Sequence, residues 1–201
     1  MAFGLSACAS IRIAPPLGGV RSAVALPATR LPDRHRRTVF TWEYREKIFS
    51  ARGEGVARIA PPDSVRLDFF LQNGAAGGAV IMIGDSLFAP AQDEATRYLP
   101  PVTLLWASLG RLTATAPDTV VAIDGDTLRA DIGEHPRWRV AFRDGWLARV
   151  EHVEDGRVTE YAVRRDSLHV EYHHARPART LRLAIIRHLE ESAFDATIWR
   201  R

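Results

Sequence analysis

His169, Glu171 and His173 alternate along one stretch of chain, with His174 beside them, so a strand would carry the three on one face. Such a face can hold a metal if a second strand adds ligands. A tyrosine- and histidine-bearing strand near a sheet edge is equally well explained without one, and no metal site is assigned. His135 and His152 are isolated. The carboxylate pairs Glu190-Glu191 and Asp124 with Asp126 fall in a turn or on a wet face, with no partner for acid–base work. Ser6, Ser50, Ser64, Ser86, Ser108, Ser167 and Ser192 lack a nucleophile-elbow context. The run from Gly74 to Gly78 has a phosphate loop's glycines, yet it lacks the Lys-Ser/Thr ending and precedes a strand, not a helix. No catalytic residue and no cofactor follows from these patterns.

The remaining reactive side chain is Cys8, the sole cysteine, in Leu5-Ser6-Ala7-Cys8. Apolar and small residues precede it, and the tetrapeptide resembles a bacterial lipobox, in which the thiol receives a diacylglyceryl group before cleavage exposes it as the new N-terminus. No positive charge precedes Cys8, so residues 1–8 read as a truncated lipoprotein signal. The alternative is a chance match in an Ala-rich terminus. If Cys8 is acylated, it is a membrane anchor and no nucleophile. Residues 9–33 carry Pro15-Pro16, Gly18-Gly19, Pro27 and Pro32 without periodicity, the composition of a tether that could reach roughly 80 Å at most.

With 46% hydrophobic and 25% charged residues over 201, residues 34–201 have the balance of one globular domain. The net charge is +3 and Lys47 is the only lysine. Most arginines alternate with apolar residues, as on the wet side of a sheet, which argues against a nucleic-acid partner. Arg34, Arg36 and Arg37 form the densest cluster and suit anionic headgroups.

These side chains need a sheet to position them. Over 38–49, Phe40, Trp42, Tyr44, Glu46 and Ile48 alternate with Thr41, Glu43, Arg45 and Lys47, which predicts one long strand. Gly53 and Gly55 open the next, 56–60, and Pro61-Pro62-Asp63 turns the chain into 65–71, whose apolar face is Val65, Leu67, Phe69 and Leu71. The run 79–83 is apolar on both faces and pairs with 86–89, followed by a polar loop over 90–98. Pro100-Pro101 begins the only strong helical pattern, about 101–110, with Leu105 and Leu109 on its stripe and Trp106 beside it. Strands resume at 120–123, 127–132, 138–142, 146–153, 158–163, 168–172 and 180–189, joined by Asp-Gly turns. About ten or eleven strands and one helix predict a mainly β fold: a single antiparallel curved sheet, a half-barrel, with a short apolar lid helix.

The motifs Gly53-Glu54-Gly55-Val56-Ala57-Arg58-Ile59, Pro62-Asp63-Ser64-Val65-Arg66-Leu67-Asp68 and Gly84-Asp85-Ser86-Leu87, followed by the mid-chain helix, resemble the LolA/LolB superfamily of periplasmic lipoprotein carriers, including its lipid-anchored relatives of unassigned function. The resemblance spans about 38–199. It implies an incomplete barrel with a helical lid that holds acyl chains of lipoproteins or lipids, and an exported, lipid-anchored protein of the cell envelope. Ala9 lacks the aspartate associated with inner-membrane retention, which implies the outer membrane, facing the periplasm. Two departures stand out: no amphipathic helix precedes Thr38, and the loop Gly74 to Gly78 offers no bulky apolar residue of the kind that the receptor type exposes to the bilayer.

A half-closed sheet has more concave surface than one short helix can fill. The expected acyl-chain lining is Phe40, Trp42, Tyr44, Leu67, Phe69, Ile81, Ile83, Leu105, Trp106, Leu109, Trp138 and Phe142. The expected partners are lipid or lipoprotein acyl chains, a membrane through Cys8, and envelope proteins; no enzyme chemistry is implied. The competing expectation is an envelope assembly or interaction protein of the same fold, with a filled core and no cargo.

Overall fold

The computed structural model describes residues 12–90, 97–134 and 137–200; Cys8 with its leader, His135, and most of the loop expected over 90–98, lie outside them. In chain order the strands are β1 (Arg12–Ile13), β2 (Val20–Ser22), β3 (His35–Glu46), β4 (Phe49–Ala60), β5 (Ser64–Leu71), β6 (Ala76–Ile83) and β7 (Ser86–Phe88). The helix α1 (Val102–Ser108) follows, then β8 (Thr119–Asp124), β9 (Thr127–Ile132), β10 (Arg137–Arg143), β11 (Trp146–Glu154), β12 (Arg157–Arg164), β13 (His169–His174) and β14 (Arg179–Glu191). All belong to one 14-stranded antiparallel sheet of order β2-β8-β9-β10-β11-β12-β13-β14-β3-β4-β5-β6-β7, with β1 paired to the end of β12. β2 and β7 stand at opposite ends of that order, so the sheet curls without closing.

The Asp-Gly turns serve as their sequence demands: Asp144 and Gly145, and Asp155 and Gly156, all take positive φ, the hairpin geometry that matches strand twist. Three local features differ from expectation. The strand expected over 38–49 stops at Glu46, and Lys47 (φ 42) with Ile48 forms a tight hairpin into β4. Ile48 therefore leaves the inward face and is fully exposed, at 105%.

Gly53 and Gly55, expected to open a strand, lie inside β4. A Cβ at Gly53 would collide with the Phe70 carbonyl, and one at Gly55 with the Phe40 ring. Both glycines are close-approach sites in a strand interior.

The segment expected as a free tether contributes β1 and β2. Leu31 is buried in the core, Thr29 Oγ1 accepts from the Leu112 amide at 2.7 Å, and the Pro15 carbonyl accepts from Arg139 at 2.6 Å. A segment without periodicity can still pair where a sheet leaves backbone groups open, and β2 occupies such an edge.

The concave face holds the core. The register Thr38–Ala57–Leu67–Val80 and its neighbour Phe40–Gly55–Phe69–Gly78 place two rows of inward positions across β3 to β6. α1 lies against β11, β12 and β13 and buries Leu104, Leu105, Trp106, Ala107 and Ser108. Arg164 on β12 donates to the Ser108 carbonyl at 3.0 Å, closing the helix C-terminus. Along β6, Val80 and Met82 point into the core. Alternation sends Ile81 and Ile83 to the other face, where Ile81 is buried and Ile83 is 39% exposed. The C-terminal 3-10 turn (Ala196–Trp199) attaches to that outer face through Arg66, which donates to the Ile198 carbonyl at 2.9 Å.

Candidate functional site

β3, β4, β5 and β6 end together on one side of the half-barrel, and there the interior is not filled. An apolar cavity of about 380 Å³ lies between these strands and the chain that leads into α1. Aromatic side chains build its walls: Trp42 and Phe69 meet edge to face at 5.8 Å, Tyr44 and Tyr98 at 5.7 Å, and Phe49 lies 6.2 Å from Tyr98. Ala51, Leu71, Leu99 and Leu181 add to the apolar lining, with Gly77, Gly78 and Val80 on β6. A Cβ at Gly78 would meet nothing within 4 Å, so missing side chains help to keep the space open.

Among the described residues, polar groups sit only at the rim. Trp42 satisfies its indole N–H on the Glu54 carbonyl at 2.9 Å. The Tyr44 hydroxyl donates to Glu46 at 2.7 Å. Burial, reinforced by that carboxylate, pushes the Tyr44 phenol up to about 12, so it remains a neutral donor. One step further along the same face, Arg179 stands opposite Glu46 and donates to the Arg97 carbonyl. Outside, the Lys47-Ile48 hairpin projects beside Phe49, which is 51% exposed.

Of the expected lining, Trp42, Tyr44 and Phe69 face the cavity. Phe40 and Leu67 are packed in the core deeper along the same strands, and Phe142 is buried beyond them. Leu105 and Trp106 plug the interior instead of lining it: the Trp106 indole donates to the Gly84 carbonyl at 2.8 Å and Arg111 caps its ring at 4.7 Å. Leu109 is half-buried at the helix end. Trp138 stacks on His152 at 4.5 Å, away from the cavity. Ile81 and Ile83 are on the opposite face. Phe49, Leu71 and Leu181 go unmarked in the sequence reading, although Leu71 belongs to the apolar face read for its strand and Phe49 follows the hairpin that the reading placed inside a strand.

His169, Glu171 and His173 share the outer face of β13, as their spacing predicts. Glu171 is engaged by Arg165 at 3.0 Å, His173 at 3.2 Å and Arg182 at 3.3 Å, and His169 by Asp166 at 2.9 Å. Among the described residues no three His, Cys, Asp or Glu side chains gather as a metal site. His152 is not isolated in space. It lies 3.3 Å from Glu160, which also accepts the Tyr172 hydroxyl at 2.7 Å. Burial opposes the Glu160 carboxylate, but His152 and Tyr172 outweigh it and hold the group below its usual 4.5. No helix among the described residues is long and apolar enough to cross a membrane.

No protein-family model matches the chain, and no curated protein matches it by sequence. Its architecture is similar to that of solved structures. A LolA superfamily protein from Nitrosomonas europaea aligns with TM-score 0.51 at 9% identity, covering 86% of this chain and 92% of that one. A putative outer membrane lipoprotein-sorting protein domain from Vibrio parahaemolyticus aligns with TM-score 0.52 at 6% identity, covering 84% of this chain and 90% of that one. An open antiparallel half-barrel, a short helix laid across its concave face and these two likenesses agree: the chain has the LolA-superfamily fold.

Proposed function

We propose that this protein is an exported, lipid-anchored carrier of the cell envelope that holds acyl chains of lipids or lipoproteins without covalent chemistry and passes them to or from a membrane. The observation that carries this reading is the aromatic-walled cavity of about 380 Å³ at the open end of the half-barrel, with apolar Ile48 and Phe49 projecting beside its mouth. At about 0.8 kcal/mol per buried methylene, a dozen methylenes supply roughly 10 kcal/mol before the cost of association, enough for useful affinity. The Lys47-Ile48 hairpin supplies the bulky exposed residue that the Gly74 to Gly78 loop lacks. The likeness to a lipoprotein-sorting domain supports the same reading. Cys8 would be the acylated anchor, with the outer membrane as its destination.

A second reading, an envelope assembly protein with a filled interior, draws on the region under α1, where Leu104 and Trp106 are completely buried. The open end favours the carrier. Purification followed by lipid extraction tests it: co-purifying acyl lipid, or saturable uptake of a fluorescent fatty acid displaced by unlabelled chains, is expected, and a protein that is empty and takes up no chain overturns it. Palmitate labelling abolished by Cys8→Ala is the expected result for the anchor.

A further inference from the structure

The cavity and its rim narrow the cargo. We infer that the preferred ligand is a single-chain amphiphile with an anionic head, its chain in the aromatic cavity and its head against Arg179; this rests on the acyl-chain reading above.

Volume sets the number of chains. If a methylene occupies about as much space as a water molecule in the liquid, roughly 30 Å³, then about 380 Å³ admits one chain of about a dozen carbons. A second or third chain has no place under α1, where Leu104, Leu105 and Trp106 fill the interior.

Charge at the rim sets the head. Leu181 and Tyr44 line the cavity and are register partners, and two residues further along the same faces Arg179 pairs with Glu46. Arg179 donates to the Arg97 carbonyl and interacts with the Tyr44 and Tyr172 hydroxyls, and its Nε is buried with no hydrogen-bond partner among the described residues. Its guanidinium thus stands beside the cavity residue Tyr44 with one donor, Nε, left over, chemistry that suits a carboxylate or phosphate. Arg97 lies over the Tyr98 ring at 5.2 Å, and Lys47 stands at the hairpin tip beside Phe49. Glu46, the one acid at this rim among the described residues, already accepts the Tyr44 hydroxyl.

Beyond the hairpin the basic character continues. Arg179 and Lys47 also border an outer groove of about 690 Å³ lined by Arg12, Arg45, Arg129, Arg139 and Arg149. Glu151 is the only carboxylate among that groove's lining residues. Arg45, Arg129, Arg139 and Arg149 are ion-paired with Glu43, Asp124, Asp131 and Glu151, so the cationic excess on the outer side of the mouth comes from Arg12, Lys47 and Arg179.

The experiment compares one chain length with different heads. Dodecanoate, dodecyl phosphate, dodecanol and dodecylamine compete at neutral pH against a fluorescent fatty acid bound to the intact protein and to Arg179→Gln. Dodecanoate and dodecyl phosphate are expected to compete at least tenfold better than dodecanol, dodecylamine worst of all, and Arg179→Gln should erase the anion preference while leaving dodecanol unchanged. Thermal unfolding of the variant checks its fold, and Lys47→Ser gives an independent reduction of the same preference if Arg179→Gln is unfolded. Equal competition by all four heads would overturn the anionic head while leaving the acyl-chain reading intact. Equal competition by a two-chain phosphatidic acid of the same chain length would overturn the single chain. Failure of every ligand, the fluorescent probe included, would overturn both this inference and the carrier reading.

Discussion

Trp42 and Trp106 are both interior tryptophans whose indole N–H ends on a backbone carbonyl, Glu54 for one and Gly84 for the other. They do opposite work. Trp106 is completely buried under Arg111 and among the side chains that α1 presses onto β11 to β13, so its ring is structure. Trp42 is also buried, but one side of its ring faces the cavity beside Phe69. The difference comes from what each region had available to fill it. On the α1 side a seven-residue helix brings five buried side chains to the sheet. On the Trp42 side the facing elements bring Gly77, Gly78 and Ala51, and space is left over. Stability concentrates in the first region and binding in the second.

The largest expected effect tests the filled region. Trp106→Ala should destabilise the protein by about 3–5 kcal/mol, since it removes a large ring where the surroundings cannot collapse. Trp42→Ala should cost less, because its ring already borders open space, while weakening uptake of a fluorescent fatty acid. Urea unfolding of the two variants decides. Equal losses of stability, with binding untouched in both, would dissolve the distinction.

A second prediction probes the polar group buried near the filled region. Glu160 accepts the Tyr172 hydroxyl and pairs with His152 inside the sheet, so Glu160→Gln should cost about 1.5–3 kcal/mol at neutral pH. The sign with pH follows from the carboxyl lying lower in the folded chain than its ordinary 4.5. Stability from this group is complete above the unfolded value and is lost as pH falls through the folded one. Unfolding midpoints measured across the acid range should therefore fall less steeply for Glu160→Gln than for the parent.

The two regions were unequally legible in the sequence. Period-2 alternation and Asp-Gly turns place β8 to β14 almost residue by residue, because each hairpin is a local matter of turn chemistry and one buried face. The helix is equally plain from Leu105, Leu109 and the prolines before it. The cavity was not legible, because it depends on what fails to reach the interior. Trp42, Tyr44 and Phe69 could be read as inward-facing. Whether a neighbour covers them depends on which strands lie opposite, and that is set by the non-local pairing of β14 with β3. Ile81 and Ile83 misled for a simpler reason: an unbroken apolar run gives no alternation from which to choose a face, and Val80 and Met82 took the inside. Ile48 misled because Lys47-Ile48 carries none of the Gly or Asn that usually marks a two-residue turn.

A third prediction fills the open region. Ala51 is opposite Tyr44 and lines the cavity, so Ala51→Trp has room for its ring. In a packed core such a substitution costs about 1–3 kcal/mol. Here the change in stability should stay within about 1 kcal/mol while fatty-acid uptake is abolished. A full overpacking cost with uptake intact would mean that the space is not the binding site.

The smallest effect on stability belongs to the residue at the tip of the open end. Ile48 makes no use of its side chain in the fold, being fully exposed between Lys47 and Phe49, and Ile48→Ser should leave stability within about 0.5 kcal/mol, as for other surface changes. An exposed aliphatic side chain has no stabilising role in water, but at a bilayer surface its burial is favourable by about 1.5–3 kcal/mol, with Lys47 beside it to attract anionic headgroups. That energy is available only when the mouth of the cavity faces the membrane, so the hairpin would orient the carrier as well as hold it there. Transfer of a fluorescent fatty acid from the protein to anionic vesicles should therefore slow several-fold in Ile48→Ser, with equilibrium binding to the protein unchanged. If transfer keeps its parental rate, the hairpin has no part in delivery, and the open end would bind chains without presenting them.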